Sequence, residues 1–326
     1  MTKDSSIVVR SVSLWGDLFR CPKCGYPLTP LELSYRCRND RCSVLFPIIR
    51  GVPILIDEDR SVFRIVDYSS DERDERSRWS KSAEKVIRAV LPSLGNNLKS
   101  KSNFAHLSSL LKRGSRPCRV LVVGGSVLGE GLDAFVNDPG LMILESDVAL
   151  GPRTSLVCDA HCLPFSDSAF DAVIVQAVLE HVLDPYVCVK EIHRVLKTGG
   201  LVYAETPFMQ QVHMGRHDFT RFTHLGHRRL FRFFEEIESG AMCGPGMALA
   251  WSYKYLMLSF SSNNATRKIL VAFVSFTGFW LKYLDYLMIN SPAALDGASG
   301  LYFMGQKTEI PLDDHSLIAG YRGAFR

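Results

Sequence analysis

From Arg119 onward the apolar positions fall into short unbroken runs separated by amphipathic or polar stretches. RVLVVGG, LMILES, SLVCD, FDAVIVQ and GGLVYAETP each read as a strand buried on both faces. Between the last two, LDPYVCVKEIHRVLKTGG has helical spacing: Val187, Ile192, Val195 and Leu196 share a face, and Gly199 is placed to stop it. This alternation predicts an α/β fold with a doubly wound, mostly parallel sheet. Farther on, MALAWSYKYLMLSF and ILVAFVSFTGFWLKYLDYLMI read as helices, and GLYFMGQK as a closing strand.

The start of the chain is patterned differently. Up to Asp57 it is rich in Cys, Pro and short β-type runs, and FPIIRGVPILI reads as strand, turn at Gly51, strand. A dense mixed-charge stretch follows, then a helical region over Ala83 to Lys112, interrupted between Pro92 and Asn97. The expected division is a small module at 1–57, a charged and helical connection at 58–115, and the α/β domain at 116–326, with 211–326 as its substrate or lid region.

The 326 residues suffice for a sizeable core plus a small module. A net charge of +4, with both signs spread along the chain, gives no strong nucleic-acid signal. The opening MTKDSSIVVR lacks an apolar h-region, so a cytoplasmic, reducing setting is the expectation, where clustered cysteines favour metal over disulfides. The longest apolar run, Ile269 to Leu281, is shorter than the ~20 residues of a bilayer span. It reads as a lid helix, or as a helix lying at a membrane interface within 246–289.

Four of the nine cysteines stand in one window, as Cys21-x2-Cys24 and Cys37-x4-Cys42. Two knuckle pairs separated by a short hairpin build a tetrahedral, structural Zn²⁺ site. The other cysteines sit in apolar settings and read as core.

The first strand of the α/β region runs into Gly124 and Gly125, where backbone can approach a ligand. The second ends in Glu145, suited to accept from ribose hydroxyls. The third ends in Asp159 and Ala160, whose carboxylate and N–H suit the edge of an adenine. Each carboxylate taken singly is also a plausible helix cap.

The segment VCDAHCLPFSDSAFDAVIVQAVLEHVLDPYVCVKEIHRVLKTGGLVYAETP resembles the core of class I S-adenosylmethionine-dependent methyltransferases of small-molecule type. The resemblance covers roughly Arg119 to Pro207. It implies a seven-stranded Rossmann-like sheet and S-adenosylmethionine as cofactor. It places Gly124, Gly125 and Ser126 along the methionine part, Glu145 on the ribose, Asp159 and Ala160 on adenine, and Gln176 at the cofactor–substrate boundary. Val122 and Ser126 stand where that family carries an acid and a second glycine. The N-terminal zinc ribbon is similar to the activator proteins that partner tRNA and protein methyltransferases.

After the fifth strand, TPFMQQVHMGRHDFTRFTHLGH offers His213, His217 and Asp218 for acid–base work, and Arg221 and His224 for substrate contact. His181, in LEHV, reads as shaping the cofactor pocket. The expected acceptor is a small molecule, a sugar or a lipid-linked glycan, methylated at oxygen. The alternatives are a non-catalytic scaffold that keeps the fold, and a tRNA or protein methyltransferase. Against amino-group methylation, no Asn-Pro signature follows the fourth strand, where Gln176-Ala177-Val178-Leu179 stands. The absence of GxGxxG disfavours a nicotinamide oxidoreductase.

Overall fold

The computed structural model describes residues 12–69, 91–113 and 117–325. Most of the charged run and the first part of the expected Ala83–Lys112 helical region lie outside them. The strands among the described residues are β1 (Leu28–Pro30), β2 (Ser34–Cys37), β3 (Leu45–Ile49), β4 (Val52–Leu55), β5 (Cys118–Val123), β6 (Leu141–Asp147), β7 (Leu156–Cys158), β8 (Phe170–Gln176), β9 (Leu196–Pro207), β10 (Phe234–Cys243) and β11 (Gly300–Lys307). The helices are α1 (Ser100–Leu111), α2 (Asp133–Val136), α3 (Pro185–Val195), α4 (His224–Leu230), α5 (Pro245–Leu258), α6 (Asn264–Gly278), α7 (Asp285–Met288), α8 (Pro292–Gly297) and α9 (Asp314–Ala319).

All these strands join one sheet, in the order β1-β2-β3-β4-β7-β6-β5-β8-β9-β11-β10. Numbered from β5, the last seven run 3-2-1-4-5-7-6, and β11 lies antiparallel to both its neighbours. This is a doubly wound, Rossmann-like sheet with one antiparallel strand inserted next to its edge. Its order reverses beside β5, so the carboxyl ends of β5 and β8 flank a crevice. Alternate residues of these strands feed two cores. Leu121, Val123, Val173 and Val175 face one layer with α3, while Val120, Val122, Ala172 and Ile174 face the other with α1.

The N-terminal module extends this sheet instead of standing apart from it. β4 pairs in parallel with β7, Ile54 opposite Val157 and Leu55 opposite Cys158. The short β7 would otherwise be an open edge, and VPIL, buried at every position, covers it. The hairpin before β4 turns through Arg50 and Gly51, both at positive φ, as the primed two-residue turns require. On one face Trp15 stacks on Phe170, and Phe19 packs on Phe165, all within the same core cluster.

Three details differ from the sequence reading. Helix α3 stops at Val195, and Gly199, at φ +72°, lies within β9. The Asp184 side chain caps α3 through the N–H groups of Tyr186 and Val187, and the helix turns Cys188, Val189, Ile192 and Val195 inward while Val187 faces out. Strand β10, FEEIESGAMC, is masked in the sequence by its glutamates, which an edge strand can expose. Finally, Asn264–Met288 forms 25 continuous helical residues, whose most apolar 18-residue window has mean hydropathy 1.2. By length and composition the whole helix could cross a membrane, although its uninterrupted apolar run, Ile269 to Leu281, is shorter. Only 28% of its most apolar window is buried.

Candidate functional site

The four module cysteines converge. Gly25, at φ +76°, closes the first knuckle, its N–H donating to the Cys21 carbonyl. Cys37 ends β2, and the following turn brings Cys42 back. The Cys21–Cys42 and Cys24–Cys37 sulfur separations are 3.9 and 3.4 Å, and all four Sγ atoms lie within 4.8 Å of one another. Zn–S bonds of ~2.3 Å in a tetrahedron put sulfurs ~3.8 Å apart, so the set fits Zn²⁺. Cys118, Cys158, Cys188 and Cys243 are buried, while Cys162 is half-buried, its thiol donating to the Pro22 carbonyl.

At the tip of β5 the chain turns sharply. Gly124 has φ +78°, and a Cβ there would overlap Val178. A Cβ on Gly125 would stand 3.0 Å from that of Glu145, so this glycine lets the turn pack against β6. The N–H groups of Gly124 and Gly125 both donate to the Ser146 carbonyl. At the end of β6, Glu145 accepts from Arg153 Nε at 2.6 Å. Asp147, one pleat farther along on the same side, accepts from the N–H groups of Ser126 and Ala149. It is therefore tied to the glycine turn, and the sequence reading passed over it. Its signal was the continuation of β6 through Glu-Ser-Asp.

Asp159 follows β7 and is largely buried. Burial raises its carboxyl, but hydrogen bonds from His161 and Ser61 outweigh this and hold it below its ordinary value. The Ser61 bond, at 2.5 Å, comes from the segment leaving the N-terminal module. Ala160 is buried beside it. At the end of β8, Gln176 donates to Glu205, a carboxyl raised by burial and also bonded by Tyr203 and Asn97. Ala177 adopts φ +54°, a conformation that costs a non-glycine residue of order 1–3 kcal/mol and that clusters at functional sites.

The turn after β8 continues into Glu180 and His181, and the 210–221 loop folds over them. Glu180 is 1% exposed, and burial pushes its carboxyl up to about 8. His213 and His181 approach it edge to face, their rings 4.9 Å apart. Burial lowers the His181 imidazole. The Asp218 carboxylate receives two bonds from Arg221, which hold it well below the usual range. Arg221 spends its other donors on the carbonyls of Gln210, Gln211 and Thr220. It braces the loop. Trp251 and Tyr255 of α5 form the outer wall, with Trp251 6.5 Å from His213 and Tyr255 bonded to the Val212 carbonyl. A cavity of about 390 Å³ opens here between Gln211, Phe219, Arg221 and Tyr255.

Thus His213, Asp218, Arg221 and His181 come together, and Gln176 lies over the glycine loop. His217 points outward beside Arg216. His224 is buried on α4 against Arg322, lining a separate cavity of about 820 Å³ under α9. Glu180 was not singled out from sequence, because a glutamate in LEHV gives no sign that it will be buried.

Residues 140–204 match a family described as a methyltransferase domain. Over 144 residues the chain is 33% identical to a demethylmenaquinone methyltransferase of Lysinibacillus sphaericus, covering 44% of this chain and 54% of that protein. The chain spans about half the length of that curated relative. Among solved structures it overlaps the Haemonchus contortus phosphoethanolamine N-methyltransferase 2 in complex with S-adenosyl-L-methionine, at 18% identity over 66% of this chain and 55% of that one, TM-score 0.40. It also overlaps the complex of the Haloferax volcanii Trm112 methyltransferase activator with a candidate methyltransferase, at 18% identity over 74% and 99%, TM-score 0.43.

Proposed function

We propose that this chain is an S-adenosylmethionine-dependent methyltransferase acting on an oxygen of a small-molecule, sugar or lipid-linked glycan acceptor. The observation that carries the reading is the juxtaposition of a positive-φ glycine turn with carboxylates at the tips of the next two strands, Asp147 and Asp159, in a 3-2-1-4-5-7-6 sheet. Gly124 and Gly125 bring backbone to the crevice, Glu145 and Asp147 offer acceptors for ribose hydroxyls, and Asp159 with the Ala160 N–H suits an adenine edge. S-adenosylmethionine bound there would supply an activated methyl group for transfer to an acceptor oxygen, whose proton would pass to His213 or to water.

The residues of the chain then have positioning and water-excluding work to do. Gln176 separates the glycine loop from the Glu205 network. The 210–221 loop, braced by Arg221, closes the acceptor side, where an incoming oxygen meets His213 and not His217. Leu249 and Leu256 on α5, Phe260 just after it, and Ile269, Phe276 and Leu287 on the Asn264–Met288 helix are exposed, and α5 also supplies the wall at Trp251. That apolar flank beside the acceptor side favours a lipid-linked acceptor. Calorimetry with S-adenosylmethionine and S-adenosylhomocysteine tests the reading. Binding lost at least tenfold in Asp159→Ala supports it. Absence of binding by the folded wild type sinks it and leaves a scaffold that keeps the fold.

The cysteine set is proposed to hold structural Zn²⁺. One zinc per chain by elemental analysis, lost in Cys37→Ser, is the expected result.

A further inference from the structure

Two imidazoles and a carboxylate meet in the acceptor-side cluster without a proton donor among the described contacts. His181 Nδ1 lies 2.7 Å from the His217 carbonyl oxygen. A carbonyl only accepts, so Nδ1 carries the hydrogen and Nε2 keeps its lone pair. His213 Nδ1 lies 3.4 Å from Asp218 Oδ2 and 3.4 Å from the Gln211 carbonyl, which orients that ring in the same way. The two Nε2 atoms then aim at Glu180 Oε1, from 3.7 and 3.8 Å. Neither oxygen of the buried Glu180 carboxyl has a hydrogen-bond partner among the described residues.

With Glu180 ionised, three acceptor atoms converge around a carboxylate that is 1% exposed, and a proton or a cation among them relieves their repulsion. We propose that Glu180, His181 and His213 form a binding site for a divalent transition-metal ion, separate from the cysteine site. The three ligand atoms all lie within 4.8 Å of one another. Each imidazole has its far nitrogen fixed by an oxygen acceptor, the outer-shell arrangement that orients histidine ligands. Two nitrogens and one carboxylate suit Mn²⁺, Fe²⁺, Co²⁺ or Zn²⁺ and leave coordination positions open. Metal–ligand bonds of ~2.1 Å require the loop bearing His213 to draw in by a few tenths of an ångström. His213 is the ligand free to do so, since its neighbours from Val212 to His217 are exposed.

Metal binding stands on this geometry alone. Its use rests on the methyl-transfer reading: an ion here would hold the acceptor oxygen next to the cavity lined by Asp218, the carboxylate beside His213. That favours acceptors with two neighbouring oxygens, such as vicinal diols, catechols or sugar hydroxyl pairs, which can chelate.

The test uses the full chain with its cysteine site already loaded with zinc, titrated with Co²⁺ and followed by visible absorption, and with Mn²⁺ followed by electron paramagnetic resonance. One further equivalent should bind. Glu180→Gln and, separately, His213→Asn should each weaken it tenfold or more. Zinc content, melting temperature and S-adenosylmethionine affinity should stay at wild-type values. His213→Asn lies on the exposed loop and serves if Glu180→Gln fails to fold. Absence of a second equivalent, or binding unchanged in both variants, overturns the proposal, and Glu180 then simply shares a proton with an imidazole. Because cofactor binding is measured on the same samples, loss of the metal reading with cofactor bound leaves methyl transfer standing, and the reverse result separates them equally.

Discussion

Ser61, in the segment that leaves the N-terminal module, donates its hydroxyl to the carboxylate of Asp159, which ends the third strand of the α/β sheet, at 2.5 Å. Nearby, Arg60 reaches the Pro22 carbonyl in the cysteine knuckle and Cys162 Sγ. The cysteine module is thus wired to the expected adenine site through two adjacent residues. A hydrogen bond to a charged group contributes ~1.5–3 kcal/mol when intact. Ser61→Ala leaves Asp159 with His161 as its side-chain donor and should weaken S-adenosylmethionine binding about three- to tenfold by calorimetry, with the fold unchanged by circular dichroism. An unaltered affinity would show that His161 alone fixes the carboxylate.

Gly124→Ala should be far more damaging than its one methyl suggests. The backbone is in the left-handed region, costing ~1–2 kcal/mol for an alanine, and the added carbon overlaps Val178. Overpacking adds ~1–3 kcal/mol. Thermal unfolding should fall by several degrees, and cofactor binding should be lost as the turn shifts. The double variant Gly124→Ala/Val178→Ala should recover part of the stability but not the φ cost.

The N-terminal module supports the sheet in cis, so its loss should reach the core. Phe19 is fully buried between Tyr35 and Phe165. Phe19→Ala should cost ~3–5 kcal/mol, enough to consume much of the stability of an ordinary domain. Removing the metal with a chelator, or Cys37→Ser, should lower the melting temperature of the whole chain in a single transition. Two separate transitions, with only the first shifted, would mean that the module unfolds on its own.

His227 predicts a pH dependence. It is fully buried among Phe222, Phe231 and Phe303, and burial lowers its imidazole to about 3. The unfolded chain takes up this proton near pH 6.5, and the folded one does not until about pH 3. Stability attributable to this neutral histidine is therefore intact above pH 6.5 and falls as the pH drops below it. The loss is ~1.4 kcal/mol per unit for one proton. His227→Gln, which cannot take the charge, should show a shallower decline between pH 6.5 and 5 in urea midpoints. Parallel curves for variant and wild type would refute the assignment.

The sequence made the parallel core legible because β5, β8 and β9 are buried on both faces, and continuous apolar runs leave little choice of period. The convergence of the four cysteines was readable too, because their spacing along the chain is short and their partners are local. What escaped is tertiary. No local pattern tells that VPIL will pair with LVC a hundred residues later, that Glu180 will be sealed by a loop from 210–221, or that His217 will face out while His213 faces in. The neighbouring pair Glu145 and Asp147 shows the same limit: both stand on one side of β6, and only the structure shows that Asp147 accepts from the Ser126 N–H of the glycine turn while Glu145 pairs with Arg153.

The apolar flank gives the last prediction. Asp285, 1% exposed, accepts from the N–H groups of Gly244, Gly246 and Met247, fixing the start of α5 against the long apolar helix. This anion at a helix N-terminus locks the pair from within, so its exposed side chains are held in place rather than left to collapse inward. Leu256, Phe260, Ile269 and Phe276 stay largely in solvent, with Arg267 and Lys268 at the helix start. Apolar rings beside basic residues suit an anionic lipid surface. The chain should float with phosphatidylglycerol-containing liposomes at low salt, less so with phosphatidylcholine alone. Phe260→Ser with Phe276→Ser should reduce flotation at least fivefold without changing S-adenosylmethionine affinity. If wild type stays at the bottom of the gradient with both lipids, the flank is not a membrane-binding face, and the case for a lipid-linked acceptor goes with it, while the cofactor crevice and its chemistry are unaffected.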